Sequence, residues 1–274
     1  MHASTKLSKF LTYFFLIVGS LIMVFPFLWM FLTSFKTIPE SMSIPATIFP
    51  SAFRLDKYKE VLQSLPFVKL YWNTILLVFF RVVCAIGFSS MAGYAFAKLN
   101  FRGKGLMFGI IVIQMSLPSQ IFLIPQYQMV AKMGMANTIF ALVFPGIVSA
   151  FGVFFLRQAY MSIPDEVGEA AYLDGCTQFQ TFYKVMFPLT GTSVAALTIF
   201  TAVFAYGDLM WPQIVNNDIN MFTLSAGLAT LRGLNTTDFP MLMAGSLLAM
   251  LPMIVLYLFF QRQFVEGIAG TGGK

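Results

Sequence analysis

Long apolar segments recur along this chain, and each is too long for an element in the core of a small soluble domain. A helix needs about 20 predominantly apolar residues to cross the hydrocarbon of a bilayer. Segments of about that length occupy six regions: Phe10–Phe31, Leu70–Ala97, Gly105–Val130, Asn137–Gln158, Gly191–Ile214 and Pro240–Phe260. The sequence therefore predicts an all-α polytopic membrane protein. We expect a single transmembrane domain over residues 1–274, with a cytoplasmic loop at 159–190.

The composition excludes an ordinary soluble domain. Hydrophobic residues make up 58% of the chain and charged residues only 10%, whereas soluble domains carry about 25% charged residues. The net charge of +6 comes from scattered lysines and arginines without a basic run, so no nucleic-acid partner is predicted. An excess of cations is typical of the cytoplasmic loops of membrane proteins.

Residues for metal or acid–base chemistry are scarce. Cys84 lies in an apolar segment, Cys176 lies in a polar loop, and the single histidine is His2. The glycine-rich ending Gly267–Lys274 does not fit the G-x4-G-K-[ST] spacing of a phosphate-binding loop. We therefore predict no catalytic residue, no metal and no cofactor in this chain, which is not expected to be an enzyme.

Loop charges predict the orientation in the membrane. Lys98, Arg102 and Lys104 lie between the second and third spans. Only Lys132 lies between the third and fourth. The positive-inside rule places the first cluster in the cytoplasm. Both termini are then cytoplasmic, and the outer loops are Thr33–Lys69 and Val215–Phe239. The several cations within Thr33–Lys69 weaken this argument.

The most polar cytoplasmic loop is predicted to form a short helix that ends at a glycine. Ser162 suits the N-cap, with Asp165 three residues later as in a capping box. Pro164 suits the first turn, and Gly175 suits the left-handed residue that ends the helix. The loop is therefore expected to stand outside the membrane as a compact, rigid unit.

A second helical run, Thr177–Val185, follows and is predicted to stop before the next proline. In the first helix, Glu169 and Leu173 lie one turn apart on one face. Ala170 and Ala171 are small enough to allow close approach to another surface. Two short helices joined at a glycine favour a lever that transmits the movement of a bound partner.

This loop resembles the EAA loop of ABC importer permeases, E-A-A-x3-G-x9-I-x-L-P. The matching residues are Glu169-Ala170-Ala171, then Gly175, then Val185-Met186-Phe187-Pro188. The resemblance implies a coupling helix that docks on a cytoplasmic ATPase. The implied docking residues are Glu169, Ala170, Ala171, Leu173, Asp174 and Gly175. The alternative is an amphipathic connector that rests on the membrane surface.

Other segments resemble the maltose-type, carbohydrate-uptake branch of that family: Asp174, Ser34-Phe35-Lys36, Tyr206–Pro212 and Gln261–Gly267. The resemblance implies the type I ABC importer permease fold with six transmembrane helices. It implies a permease for a sugar or oligosaccharide in a bacterial-type inner membrane. It also implies several partners, namely a second permease, an ATPase dimer that binds ATP-Mg, and an extracytoplasmic binding protein. The loop Val215–Phe239 resembles in position the loop that reaches into the binding protein, and the tail after Phe260 is expected near the ATPases.

Polar residues within the spans are candidates for the translocation path: Asn73, Arg81, Gln114, Ser116, Gln120, Tyr206 and Asp208. Ionisable groups inside a membrane are costly and often functional. Asp208 either lines the path or caps a helix, and Arg81 either pairs with Asp208 or faces a watery cavity. Polar residues also join helices within membranes, so a structural role stays open for each.

Two further interpretations concern the aromatic residues and a rival function. Trp72 and Trp211 lie near span ends and fit an interfacial belt. An ion- or proton-coupled secondary transporter is the alternative function, and it requires titratable relays within the spans. One aspartate and one arginine are few titratable groups for such a relay.

Overall fold

The computed structural model describes residues 2–233 and 237–272, which contain α-helices and no β-strand. The helices are α1 (His2–Thr33), α2 (Ile38–Ser41), α3 (Asp56–Ser64), α4 (Phe67–Lys98), α5 (Lys104–Ser116), α6 (Leu123–Lys132), α7 (Ile139–Val143), α8 (Ala150–Met161), α9 (Asp165–Leu173), α10 (Gln178–Gln180), α11 (Phe187–Leu189), α12 (Gly191–Gly207), α13 (Met210–Val215), α14 (Leu224–Ala229) and α15 (Phe239–Gly272). Short 3-10 turns occupy Ser119–Phe122, Phe144–Gly146 and Ile219–Met221.

The long apolar helices agree with a polytopic membrane protein. Three helices can cross a bilayer unaided, namely Ser8–Thr33, Phe67–Lys98 and Phe239–Leu258. Three bent helix pairs raise the number to as many as 6 if each pair is one span. Only 6% of the most apolar 18-residue stretch of Ser8–Thr33 is buried by the protein. Its apolar side chains therefore face outward, as expected for a helix that contacts lipid.

The third predicted span is broken, and proline chemistry explains the break. Its two parts, Lys104–Ser116 and Ser119–Lys132, meet at 105°. Leu117 lies between them in an extended conformation, with φ −88° and ψ 137°. Pro118 disfavours the α conformation at the residue before it, so the helix ends there.

The fourth and fifth predicted spans are also interrupted. Ile139–Gly146 and Ala150–Met161 meet at 48°, and Ser149 starts the second part by accepting a hydrogen bond from the Gly152 amide at 3.0 Å. The fifth span differs from the predicted Gly191–Ile214, because α12 ends at Gly207 and Asp208 is extended before α13 begins.

The chain divides into two compact units, Met1–Phe67 with Gly227–Pro252 and Val68–Ala226 with Met253–Lys274. In the first unit, the hydroxyl groups of Ser34 and Tyr58 lie 2.8 Å apart. The second unit holds two apolar clusters. One contains Leu77, Val130, Ala141, Leu142, Val143, Trp211 and Val215, and the other contains Tyr94, Leu156, Tyr160, Phe182, Met186 and Leu197.

Candidate functional site

The EAA-like loop contains a short helix, α9, whose start differs from the prediction. Pro164 precedes α9 and no side chain caps its first turn. Ser162 instead ends α8, and its hydroxyl donates to the Ala159 carbonyl at 2.7 Å. The capping-box prediction at Ser162 and Asp165 is therefore wrong. Asp165 and Glu166 still place negative charge at the positive end of the helix.

The end of α9 agrees with the prediction. Gly175 adopts φ +83°, in the left-handed region that favours glycine. The Gly175 amide donates to the Tyr172 carbonyl and the Cys176 amide to the Ala171 carbonyl, each at 3.0 Å. This pair of bonds is a Schellman motif, which satisfies the last carbonyls of the helix. Gly175 therefore turns the chain sharply at the point where the sequence predicted a glycine joint.

The two faces of α9 have different surroundings. Ala171 is buried, and a methyl group added at Gly168 would lie 3.1 Å from Cε of Met186. Small residues therefore let α9 rest closely on the segment that follows it. The opposite face exposes Glu169 together with Leu173, whose exposed fraction is 89%. Of the six predicted docking residues, only Ala171 lies on the inner face; Glu169, Ala170, Leu173, Asp174 and Gly175 are exposed.

The second helical run begins as predicted and ends later. Thr177 caps α10 and forms a capping box with Gln180. The chain continues as a π-helical segment, Thr181–Met186, and then as α11. The prediction that the helix stops before Pro188 is wrong. Pro188 occupies the first turn of α11, where its missing N–H is tolerated.

A cavity of about 840 Å³ lies in the second unit among α4, α5, α6, α8, α12 and α13. Four of the seven predicted path residues line it: Arg81, Gln114, Gln120 and Asp208. Aromatic side chains at Phe122, Phe151, Phe204 and Trp211 also line it. The combination of amide groups with apolar aromatic surface is typical of sites that bind small polar molecules.

An ion pair crosses one wall of this cavity. Nη1 of Arg81 donates to Oδ2 of Asp208 at 2.9 Å, and Nη2 donates to the Leu142 carbonyl at 2.8 Å. The Arg81 side chain is 11% exposed and the Asp208 side chain 21% exposed. Oδ1 of Asp208 also accepts from the Trp211 amide at 3.4 Å. The pair therefore neutralises both ionised groups and also supports the start of α13.

Gly146 is a cavity residue that the sequence interpretation missed. A methyl group added there would lie 2.8 Å from Cδ and 2.9 Å from Nε of Arg81. The absence of a side chain at Gly146 thus leaves room for the arginine to reach Asp208. Gln126 also lines the cavity and was missed, although a further polar residue in the same apolar span as Gln120 was a usable signal.

The other three predicted path residues do not line this cavity. Asn73 is buried and donates from Nδ2 to the carbonyls of Asn220, at 2.8 Å, and Phe222, at 3.0 Å. Ser116 ends α5, and the Tyr206 carbonyl accepts from the Ser225 hydroxyl at 2.9 Å. For Asn73, the observed hydrogen bonds match the structural alternative that the sequence left open.

One aromatic prediction is wrong. Trp211 is only 3% exposed, and its indole N–H donates to the Ala141 carbonyl at 2.8 Å. It is a packing residue inside the protein rather than part of an interfacial belt. Trp72 is 60% exposed, which agrees with the belt interpretation.

Two predicted contact segments lie partly outside the described residues. The loop Val215–Phe239 includes residues 234–236, and the tail after Phe260 includes the side chains of 262–274. The predicted contacts of these segments with a binding protein and with the ATPases stay predictions.

Comparisons with known proteins agree with this architecture. Residues 85–269 match the family described as binding-protein-dependent transport system inner membrane component. The arabinooligosaccharides transport system permease protein AraQ of Halalkalibacterium halodurans is 36% identical over 92% of both chains. AraQ of Bacillus subtilis is 32% identical over 96% of this chain and 95% of the relative.

A second transport system and a solved structure are also similar. The sn-glycerol-3-phosphate transport system permease protein UgpE of Escherichia coli is 29% identical, over 93% of this chain and 94% of the relative. A crystal structure of a bacterial ABC transporter for import of the acidic polysaccharide alginate contains a similar chain, with TM-score 0.80 and 21% identity over 96% of this chain and 98% of that one. The chain therefore belongs to the binding-protein-dependent transport system inner membrane component family and has the fold of an ABC importer permease.

Proposed function

We propose that this chain is the permease subunit of an ATP-driven importer for a sugar or oligosaccharide. Family membership and the similarity to AraQ permeases, which are named for arabinooligosaccharide transport, support this proposal. The cavity supports it as well, because amide groups can exchange hydrogen bonds with sugar hydroxyls and aromatic faces can contact sugar rings.

The exposed face of α9 is the observation that carries the proposal. Leu173 is 89% exposed on a short polar loop, next to the exposed carboxylates of Glu169 and Asp174. An exposed large apolar residue bordered by charges is typical of a protein-binding surface. The Schellman turn at Gly175 and the packing on Met186 hold this surface in a fixed position. We infer that an ATPase subunit docks here.

The proposed mechanism uses two permeases and two ATPase subunits. This chain and a second permease enclose the path, and the cavity that contains Arg81 and Asp208 forms this chain's part of it. ATP-Mg binds to the ATPase subunits and closes them, and the coupling helices carry that movement into both permeases. The path then opens to a loaded extracytoplasmic binding protein, and hydrolysis reverses the change. This chain contributes no catalytic residue to the hydrolysis.

The mechanism fixes an orientation in the membrane. The loop that contains α9 faces the cytoplasm, where the ATPase binds, and both termini lie on the same side. The lysines and arginine at 98, 102 and 104 support this orientation. Lys69, Asn73 and the start of the loop at 215 then lie toward the outer face.

Purification of the assembled complex tests the proposal. The chain is expected to copurify with an ATPase, and Glu169→Lys is expected to reduce the bound ATPase about tenfold, because it reverses charge at the docking face. Asp56→Lys makes the same charge change at an exposed residue of the predicted outer loop, so it serves as the control. An ATPase that stays fully bound to the Glu169→Lys variant would contradict docking on α9.

A further inference from the structure

The last turn of α4 is a junction between three other parts of the second unit. Nε of Arg157, on α8, donates to the Phe96 carbonyl at 3.2 Å. Nζ of Lys104, at the start of α5, donates to the carbonyls of Ala97, at 3.4 Å, and Leu99, at 2.8 Å. The final carbonyls of a helix lack partners within it and carry partial negative charge. Two cations therefore attach α5 and α8 to the end of α4.

Lys98 extends from the same turn toward α9. Its Nζ donates to the Ile163 carbonyl and to Oδ1 of Asp165, each at 2.5 Å. Ile163 lies two residues before α9, and Asp165 is its first residue. One side chain thus connects the last residue of α4 with the start of α9, where no side-chain cap is present.

The two bonds of Lys98 have different strengths. Asp165 is 81% exposed, so water and salt screen the ion pair and it contributes little. The Lys98 side chain is only 11% exposed, and its charge-assisted bond to the Ile163 carbonyl is part-buried, so water screens it less. The bond to the Ile163 carbonyl is therefore the stronger of the two Lys98 bonds, and it adds to the apolar packing of Ile163 and Val167 in the cluster that contains Tyr94.

The helix α4 leads from this attachment to the cavity without a break. Arg81 lies on α4, 17 residues before Lys98, which corresponds to about 25 Å along a helix. A displacement of the lower end of α4 as a rigid rod therefore moves Arg81 and the wall that it forms with Asp208. The packing of Gly168 on Met186 attaches α9 separately to the segment that follows it.

We propose that Lys98 is a positioning residue that makes α4 move together with α9. The inference rests on the proposed function, in which an ATPase displaces α9. A lysine that serves only for membrane orientation would need no such contacts. Arg102 lies in the same loop, is exposed, and makes no ion pair with a described residue, so it supplies the matched comparison.

A distance measurement on the assembled transporter tests this directly. Spin labels at Met91→Cys, an exposed residue of α4, and at Glu166→Cys of α9, with Cys84→Ser and Cys176→Ser, leave Lys98 and Asp165 intact. The distance between the labels is expected to stay within about 2 Å between the nucleotide-free and ATP-bound states. When Lys98→Met is introduced into the labelled chain, the distribution of distances between the labels is expected to broaden or shift on ATP binding. A larger change while Lys98 is present overturns the proposal.

Transport per ATP hydrolysed gives the functional test, with arabinotriose and maltotriose as solutes in proteoliposomes. Lys98→Met is expected to lower the ratio about fivefold or more while the copurifying ATPase is unchanged. Lys98→Arg and Arg102→Met are expected to keep the ratio, and Asp165→Asn to change it less than twofold. An unchanged ratio in Lys98→Met overturns the proposal, and so does an equal loss in Arg102→Met. Failure of the unmutated chain to bind an ATPase contradicts the proposed function instead.

If Lys98→Met does not accumulate in the membrane, a change in the distance with Lys98 intact still overturns the proposal. That experiment needs no change at the junction itself.

Discussion

At the scale of single residues, the Arg81–Asp208 pair places two opposite charges in the lining of the cavity. Its two side chains are 11% and 21% exposed, so neither charge is fully hydrated. Removing one partner of such a pair leaves the other charge in a poorly solvated site, whereas replacing both partners with apolar groups avoids that penalty. The same pair therefore contributes to stability and sets the charge balance of the cavity.

We expect Asp208→Asn to lower the free energy of unfolding by about 2–3 kcal/mol, below the value for a fully buried pair because of the residual exposure. The double variant Arg81→Met with Asp208→Leu is expected to lose less than the single variant. Thermal unfolding of the detergent-solubilised transporter measures both. A double variant that loses more stability than Asp208→Asn would show that the two residues do not act as a pair.

A second ion pair, in the first unit, gives a prediction about pH. Nζ of Lys57 lies 2.7 Å from Oδ2 of Asp238 and 2.7 Å from Oε2 of Glu60. Burial opposes the charge on Lys57, but the hydrogen bonds to Asp238 and Glu60 outweigh burial and raise its pKa above the usual 10.5. A raised pKa in the folded state gives stability that is present below the unfolded pKa and is lost as the pH rises through the folded pKa.

The difference in melting temperature between the unmutated chain and Lys57→Met is therefore expected to shrink from about pH 8 to about pH 11. Thermal unfolding at the two pH values measures it. Lys59→Met, two residues after Lys57 on α3 and without the contact to Asp238 that Lys57 makes, serves as the control and is expected to show no such convergence. A difference that grows with pH would contradict the assignment.

At the scale of elements, close packing of α4 on α8 depends on small residues. A methyl group added at Gly93 would lie 2.9 Å from the backbone nitrogen of Arg157 and 3.2 Å from the backbone carbon of Leu156. One added at Gly152 would lie 2.5 Å from the Ser89 hydroxyl. Small residues allow membrane helices to approach closely, so the backbone contact fixes the position of both helices.

Gly93→Val is expected to destabilise the fold by about 1–3 kcal/mol because the added atoms meet backbone that cannot yield easily. Gly87→Val on the same helix is the matched control, since a methyl group there has nothing within 4 Å. Unfolding of the purified transporter in detergent measures the two variants. Equal effects at Gly93 and Gly87 would show that helix propensity, rather than packing, causes the loss.

Apolar length and local turn chemistry made much of this fold predictable. Six apolar regions indicated the spans, and Gly175 indicated the end of α9. The start of α9 was mispredicted because Ser162 ends α8 and its hydroxyl donates to the Ala159 carbonyl, so it does not accept from an amide of α9. The break at Asp208 was mispredicted; there the Asp208 carboxylate pairs with Arg81, which is distant in sequence, and accepts from the Trp211 amide at the start of α13.

The candidate site was predictable to a similar degree and for the same reason. Unusual polar residues in apolar spans led to Arg81 and Asp208. Gly146 gave no comparable signal, because its role is to leave room for a side chain that comes from another helix. Sequence patterns reveal residues with distinctive chemistry. A residue whose role is to leave space for another side chain is recognised only in the three-dimensional structure.

At the scale of the whole molecule, the central claim is that ATP hydrolysis by partner subunits drives import through this chain. The fold and the family make the chain a permease of a binding-protein-dependent system. We propose that the ATPase docks on the loop from Glu169 to Pro188 and that the cavity around Arg81 and Asp208 is the path. A secondary transporter would instead use an ion or proton gradient and would need no ATPase.

Uptake into proteoliposomes that contain the full complex and its binding protein separates these accounts most directly. The solute is the saccharide that the binding protein retains in a screen of neutral oligosaccharides. We expect uptake to require ATP hydrolysis, to stop when the ATPase is omitted, and to continue when a protonophore removes the proton gradient. Uptake that persists without an ATPase and collapses with the proton gradient would contradict the account.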